Sequence, residues 1–240
     1  MAEYLIQDTT LTAIGNAIRN KTGNTETITP ENMPTEIKGI ENNSNKQWTT
    51  IGLIEGTEVS GDILYEGDSA DLSAVQKLFE HNSNITSVKM PNVTNIKNAP
   101  SFRACINLTE IYIPSVTKSI PQGLNSVKFS GVLDFRKVFP NLETASQTTV
   151  NNMPNVVSII FPETLVEVIR LAINSNMKSL TKIYFMGTPT TINSEMFETK
   201  VSQQITDIYC PWLEGEVANA PWGATNATIH YDWVEEGGIT

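Results

Sequence analysis

The chain has 240 residues, and its 16 basic and 26 acidic side chains give a formal net charge of −10. This length allows one or two domains with a sizeable core, and the acidity counts against a sequence-independent nucleic-acid binder. Asn (23) and Thr (28) make up about a fifth of the residues. Because these residues suit turns and strand surfaces, they indicate a β-rich or repetitive protein and not a helical enzyme. We expect neither a membrane span nor Sec export, since long apolar runs and a signal-peptide pattern are missing.

Residues 1–40 are predicted to form a small α-helical module. Thr10 can cap a helix that runs to about Lys21, and Thr29 with Pro30 can begin a second one. Helices this short are marginal alone in water, so they must pack on each other, on further copies or on another protein. The candidate anchoring residues on their apolar sides are Leu11, Ile14, Ile18, Met33, Ile37 and Ile40.

Residues 41–50 are polar and predict a linker. Residues 51–65 have the pattern of a strand, and residues 72–81 have the pattern of one helix. We therefore expect residues 51–81 to form the N-terminal cap of the domain that follows.

The most informative feature is an internal repeat over residues 82–211. Six short apolar segments recur, with central residues separated by 23, 22, 26, 24 and 25 positions. This spacing lies within the range of leucine-rich repeats, roughly 20–29 residues. It predicts a β-rich solenoid of about six turns, with residues 212–240 as its C-terminal cap. The six central residues are Val88, Ile111, Leu133, Ile159, Ile183 and Ile208.

Alternation along each strand assigns residues to the two faces of the sheet, because residues two apart share a face. The residues predicted to point inward are Ile111, Ile113, Ile159, Phe161, Ile183 and Phe185. The outward column, our candidate binding face, is Lys89, Tyr112, Asp134, Ile160, Tyr184 and Tyr209. Two interpretations of this column stay open: it only stabilises the sheet through cross-strand pairs, or it contacts a sugar or a protein loop.

The sequence contains few groups of side chains that could form a disulfide, bind a metal or catalyse a reaction. Cys105 and Cys210 fall several turns apart, too far for a disulfide, so two buried free thiols are expected. Neither histidine has metal-ligand spacing around it, and residues 66–71 match a calcium loop only loosely. A glycosidase needs two carboxylates close together. Glu110 and Asp134 would lie on adjacent strands, but one such pair is expected by chance on a regular surface. We therefore predict no catalytic residue, no metal and no cofactor.

Three segments carry resemblances to known families. Phe102-x-x-Cys105-x-x-Leu108 resembles an element of the BspA-like leucine-rich-repeat family. Residues 5–40 resemble the N-terminal module of tail-associated virion proteins of phages that infect Gram-positive bacteria, and residues 208–231 are similar to a C-terminal segment of the same kind of protein. Such tail appendages are commonly trimeric, which implies a homo-oligomer here.

The resemblances imply a non-enzymatic virion structural protein, a tail-fibre or baseplate component for adhesion or receptor binding. Residues 1–40 would dock to other virion proteins, and the solenoid would face a host surface polysaccharide or protein. The protein would be made in the host cytoplasm and lie on the tail or capsid exterior, without nucleic-acid or membrane partners. The alternatives are a capsid decoration or head fibre protein, a bacterial BspA-like surface adhesin, and an envelope-degrading enzyme.

Overall fold

The computed structural model of the chain describes residues 46–52, 59–68, 70–72, 79–96, 102–118, 123–235 and 239. The chain divides into two units, Met1–Gln47 and Trp48–Thr240. The strands and helices described here all belong to the second unit. The predicted helical module at 1–40, with its six candidate anchoring residues, lies outside the described residues.

The described secondary structure consists mainly of short strands, with two helices of one turn each. In chain order the elements are β1 (Trp48–Ile51), β2 (Gly61–Tyr65), β3 (Ile85–Lys89), β4 (Glu110–Tyr112), β5 (Leu124–Asn125), β6 (Gly131–Asp134), α1 (Phe135–Val138), β7 (Thr144–Ala145), β8 (Val150–Asn151), β9 (Val156–Phe161), β10 (Glu167–Val168), β11 (Lys182–Phe185), β12 (Thr191–Ile192), α2 (Thr199–Ser202), β13 (Asp207–Tyr209) and β14 (Thr228–His230).

Every strand pair among the described residues is parallel, because each turn brings the chain back to the same edge of the growing sheet. The first main sheet has the order β1-β2-β3-β4, and the second has the order β14-β13-β11-β9-β6. Smaller sheets on the return path have the orders β12-β10-β7 and β5-β8. The fold is a β-solenoid of about six turns, as the repeat predicts.

The core lies between these sheets and is built from columns of equivalent residues. Ile183 lies opposite Ile159 on one side and Ile208 on the other, and Val88 lies opposite Ile111. All six residues predicted to point inward are buried, which confirms that part of the prediction. Their exposed fractions are at most 1 % at Ile111, Ile113, Ile159, Phe161, Ile183 and Phe185.

Asn and Thr side chains tie one turn to the next, which accounts for their abundance. Asn107 Nδ2 donates to the carbonyl of Ser83 at 2.8 Å, and Asn141 Nδ2 donates to the carbonyl of Pro114 at 2.8 Å. Thr109 Oγ1 donates in the same way to the carbonyl of Thr86 at 3.2 Å. The carbonyl of Thr86 also accepts the main-chain N–H of Thr109 at 2.9 Å, so these side-chain bonds add to the main-chain bonds between turns.

Aromatic rings close the C-terminal end of the core. Phe161 and Phe185 stack at 5.3 Å, and the Trp212 ring is tilted against Phe185 at 5.3 Å. Trp222, which is fully buried, meets Trp212 edge to face at 6.1 Å. The last turn thereby shields core side chains that would otherwise meet water.

Three local features differ from the expectations. Residues 51–65 hold the end of β1 and all of β2 instead of one strand, and β1 begins at Trp48, within the segment predicted as a linker. The helix predicted at 72–81 falls largely outside the described residues, and Phe79–His81 form a turn. Ile229, expected in the cap, pairs with Ile208 as part of β14.

The main correction concerns the third repeat. Leu133 aligns with Ile159 but not with Ile111, because β6 pairs with β9 alone and β4 ends the first sheet. The helix α1 follows β6 directly, where other repeats have a proline or a bend. Asp134 caps it by accepting a hydrogen bond from the main-chain N–H of Arg136 at 3.0 Å. Glu110 and Asp134, expected on adjacent strands, therefore lie on different sheets.

The first prediction tests the inward register at Ile183. We expect Ile183→Asp to lower the free energy of unfolding by about 4 kcal/mol or more, because it places an unpaired charge in the core. The melting temperature should fall by roughly 10 °C. Val166→Asp is the matched control, since Val166 is 47 % exposed. A stable Ile183→Asp variant would contradict the register.

The second prediction concerns the thiols, which are both free and buried. Burial raises the pKa of Cys105 and of Cys210 to about 12, so both stay protonated and unreactive near pH 8 in the folded protein. Ellman's reagent should modify neither thiol until a denaturant exposes them, when their pKa returns towards its ordinary value. Rapid modification of the folded protein would show that a thiol is accessible.

Candidate binding face

The outward column of each main sheet follows from strand alternation and register. On the first sheet Lys89 lies opposite Tyr112. On the second sheet the predicted order is present, and β14 extends it by one ring. This second column consists of Asp134, Ile160, Tyr184, Tyr209 and His230. The column is interrupted between Tyr112 and Asp134, because β4 and β6 do not pair.

The interruption is an opening between β4 and β6, which we call the seam. At one end the N–H of Lys128 donates to the carbonyl of Leu108 at 2.9 Å, and at the other the N–H of Ile113 donates to that of Val138 at 2.9 Å. Between these bonds lies a cavity of about 460 Å³. Its charged lining residues are Glu110, Lys128, Asp134, Arg136, Lys137 and Glu235.

The rings of the second column stack on one another along the sheet. Tyr184 and Tyr209 are 4.5 Å apart and 7° from parallel, and Tyr209 and His230 are 4.4 Å apart and 9° from parallel. Their faces therefore cover each other, and their edges point away from the sheet. Burial raises the pKa of Tyr184 and of Tyr209, and the charge of Asp207 acts in the same direction.

A hydrogen bond between a histidine and a carboxylate lies at the end of the stack. His230 Nε2 is 2.8 Å from Asp207 Oδ1, and Thr206 Oγ1 donates to Asp207 Oδ2 at 2.8 Å. The hydrogen bond from His230 is the main reason that the pKa of Asp207 is lowered. This side of the column thus carries a carboxylate that stays ionised and already has partners.

Residues 231–235, which we call the C-terminal segment, lie across the second column. The N–H groups of Asp232 and Trp233 donate to the carbonyls of Trp212 and Cys210 at 3.0 and 2.9 Å. The Trp233 ring lies 5.4 Å from Tyr184 and 5.4 Å from Tyr209, at 54° and 60° to them. A shallow cavity of about 720 Å³ remains beside this segment.

Two linked ion pairs, from Asp134 to Arg136 and from Arg136 to Glu235, hold the segment at Glu235. Arg136 donates through Nε and Nη2 to both oxygens of Asp134, at 3.0 and 2.9 Å. Through Nη1 it donates to Glu235 Oε2 at 2.8 Å. The hydrogen bond with Asp134 is the largest cause that raises the pKa of Arg136, so the guanidinium is charged at every relevant pH.

The first sheet presents an open part of the face. The Lys89 ammonium lies 4.4 Å from the centroid of the Trp48 ring and 4.0 Å from Glu110 Oε1. Tyr112 is 37 % exposed. We call Trp48, Lys89, Glu110 and Tyr112 the open face, and the column from Asp134 to His230 the covered face.

The six predicted face residues therefore fall into two groups. Lys89 and Tyr112 belong to the open face, whereas Asp134, Ile160 and Tyr184 are only 7, 1 and 8 % exposed. Tyr209 is half-buried. Their role in binding stays a prediction.

Among the residues at this face that sequence reasoning missed are Trp48, Arg136, His230 and Trp233. Two of them carry a local signal. Arg136 follows a capping Asp by two positions, and Trp48 precedes the strand-like segment. No local pattern shows that Trp233 lies across strands whose sequences precede it by many residues.

Within the described part of the chain, no group of three or more His, Cys, Asp or Glu side chains could hold a metal ion. His81 Nε2 lies 3.5 Å from Glu80 Oε1. Glu110 and Asp134 both line the seam cavity, but Asp134 is taken up by Arg136. Among the same residues, no helix is long and apolar enough to span a bilayer.

Comparison with known proteins identifies one family. Residues 123–212 match the BspA type leucine-rich repeat region, in six copies. No curated protein and no solved structure matches the chain significantly. Residues 123–212 thus carry BspA-type leucine-rich repeats.

Proposed function

We propose that this protein is a non-enzymatic adhesion component of a phage virion, of the tail-fibre or baseplate type, which binds a host surface polysaccharide or protein. The observation that carries the adhesion role is the BspA-type repeat region. Its strands align side chains at intervals of about 4.8 Å over several turns, and such extended surfaces are what solenoid proteins use for binding.

The open face supports this role and is our candidate for the contact surface. It combines two aromatic residues, Trp48 and Tyr112, with an ammonium and a carboxylate from Lys89 and Glu110. Amphipathic rings beside charged groups suit a sugar or a protein loop. We further propose that residues 1–40 attach the protein to other virion proteins as a homo-oligomer, favouring a trimer, and that no cofactor is needed.

The second candidate is a bacterial surface adhesin, which the BspA-type match favours directly. The two differ in where the protein resides. Gold-labelled antibodies should decorate the tails of purified virions under the first proposal. Decoration of cell envelopes alone would support the second, and decoration of heads would indicate a capsid fibre.

The third prediction tests the open face. We expect Lys89→Ala with Tyr112→Ser to weaken adsorption to host cells more than tenfold, which corresponds to about 1.4 kcal/mol. The melting temperature should stay within a few degrees, because Tyr112 is exposed and a cation–π contact at the surface contributes only about 0.5–1 kcal/mol. Val166→Ser is the control, since Val166 is exposed beside a different sheet. Unchanged adsorption of the folded double variant would reject the open face as the contact surface.

The fourth prediction tests attachment. We expect removal of residues 1–45 to leave the solenoid folded, because the core columns lie in the second unit. It should abolish incorporation into particles, because the proposed docking helices are lost. Incorporation of the truncated protein would reject this role for residues 1–40. A monomeric full-length protein in sedimentation equilibrium would reject the oligomer.

A further inference from the structure

The covered face already holds a peptide, which is the chain's own C-terminal segment. Trp233 lies against Tyr184 and Tyr209, and Glu235 reaches Arg136. Between these two residues Val234 is 72 % exposed. After Asp232, whose backbone is left-handed with φ 53°, residues 233–235 therefore touch the sheet alternately, as an extended chain does.

The receiving side does not depend on the segment for its shape. The Tyr184 ring is held by stacking on Tyr209, which stacks on His230 in turn. Arg136 is held by two hydrogen bonds to Asp134, which is itself buried. If the segment leaves, a ring-edge surface and a guanidinium N–H stay in place, ready for an aromatic residue and a carboxylate.

The segment's hold is limited. Main-chain bonds fix it at Asp232 and Trp233, whereas Glu235 is held through its side chain. The side chains of Arg136 and Glu235 are 34 and 26 % exposed, so water and salt weaken their attraction. A competing peptide with the same two groups can therefore take this place.

We propose that the covered face is a docking site for an extended peptide of a partner protein, with an aromatic residue followed two positions later by a carboxylate. The C-terminal segment occupies this site until such a peptide displaces it. The displaced state exposes the column of Ile160 and Tyr184. The proposal depends on the packing of the second sheet and not on the adhesive role of the open face, so either can fail alone.

The fifth prediction tests this site with a labelled peptide of residues 230–235, His-Tyr-Asp-Trp-Val-Glu. The full chain carrying Trp233→Ala and Glu235→Gln keeps the segment's main-chain bonds but loses the Trp233 ring and the charge of the Glu235 carboxylate. We expect the peptide to bind this variant at least tenfold more tightly than the wild-type chain, measured by fluorescence anisotropy. A peptide with the same two substitutions should bind neither protein.

Two further proteins sharpen the test. Val234→Ala should bind the peptide as weakly as the wild type does, because Val234 points away from the sheet. Glu235→Gln alone keeps the Trp233 ring and should bind the peptide with an intermediate affinity. This single variant replaces the double variant in the test if the double variant unfolds.

Three results would overturn the proposal. The first is the absence of peptide binding to variants whose melting curves show a folded protein. The second is equal binding to wild type and variant, which would place the peptide elsewhere. The third is dimerisation of the wild type that Glu235→Gln abolishes, which would mean that two copies exchange their segments.

Discussion

The parallel register between successive turns is the constraint on which the rest of the structure depends. Each turn must return to the same edge with its strand aligned, so that Ile183 lies opposite Ile159 and Ile208. Only then do inward side chains form continuous columns, and only then can Asn107 and Thr109 reach carbonyls one turn away. A slip of one residue would send every core side chain to the outer face. Hydrophobic burial and polar satisfaction thus select the same register, which is the agreement between levels expected of a well-determined fold.

The third repeat departs from this register, and its departure creates both the seam and the contact that holds the C-terminal segment. The buried Asp134 ends β6 and caps α1 instead of continuing the sheet. A buried carboxylate needs a partner, and Arg136 supplies it from the first turn of the same helix. The same guanidinium uses its remaining nitrogen, Nη1, to donate to Glu235. In the third repeat a helix stands where the other repeats have a proline or a bend. This one local difference opens the seam, divides the outer face and provides the charge that holds the C-terminal segment.

Those parts of the fold that follow from short sequence periods could be predicted, and those that follow from distant contacts could not. The alternation along each strand identified Ile111 and Phe185 as inward, and the spacing between repeats placed Tyr184 opposite Tyr209. The same alternation could not show that the tyrosine rings stack face to face, which depends on side-chain torsions. It also assigned Ile160 to solvent, whereas the residue is 1 % exposed and lies between Tyr184 and Asp134, near which the C-terminal segment makes its side-chain contacts. Burial by a crossing segment leaves no period in the sequence of the strand that it covers.

The distribution of charge along the chain explains why the contact between Glu235 and Arg136 matters for the position of the C-terminal segment. Residues 82–210 contain 11 basic and 8 acidic side chains, whereas residues 211–240 contain five acidic and no basic ones. The end of the chain is therefore attracted to the body of the solenoid, but at physiological ionic strength such attraction fades beyond about 8 Å. Over the width of several strands only direct contacts remain effective, and Glu235 makes one of them with Arg136. The segment is thus held by two main-chain hydrogen bonds, one ring and one ion pair, while the strands beneath it are held by the whole ladder of parallel pairs.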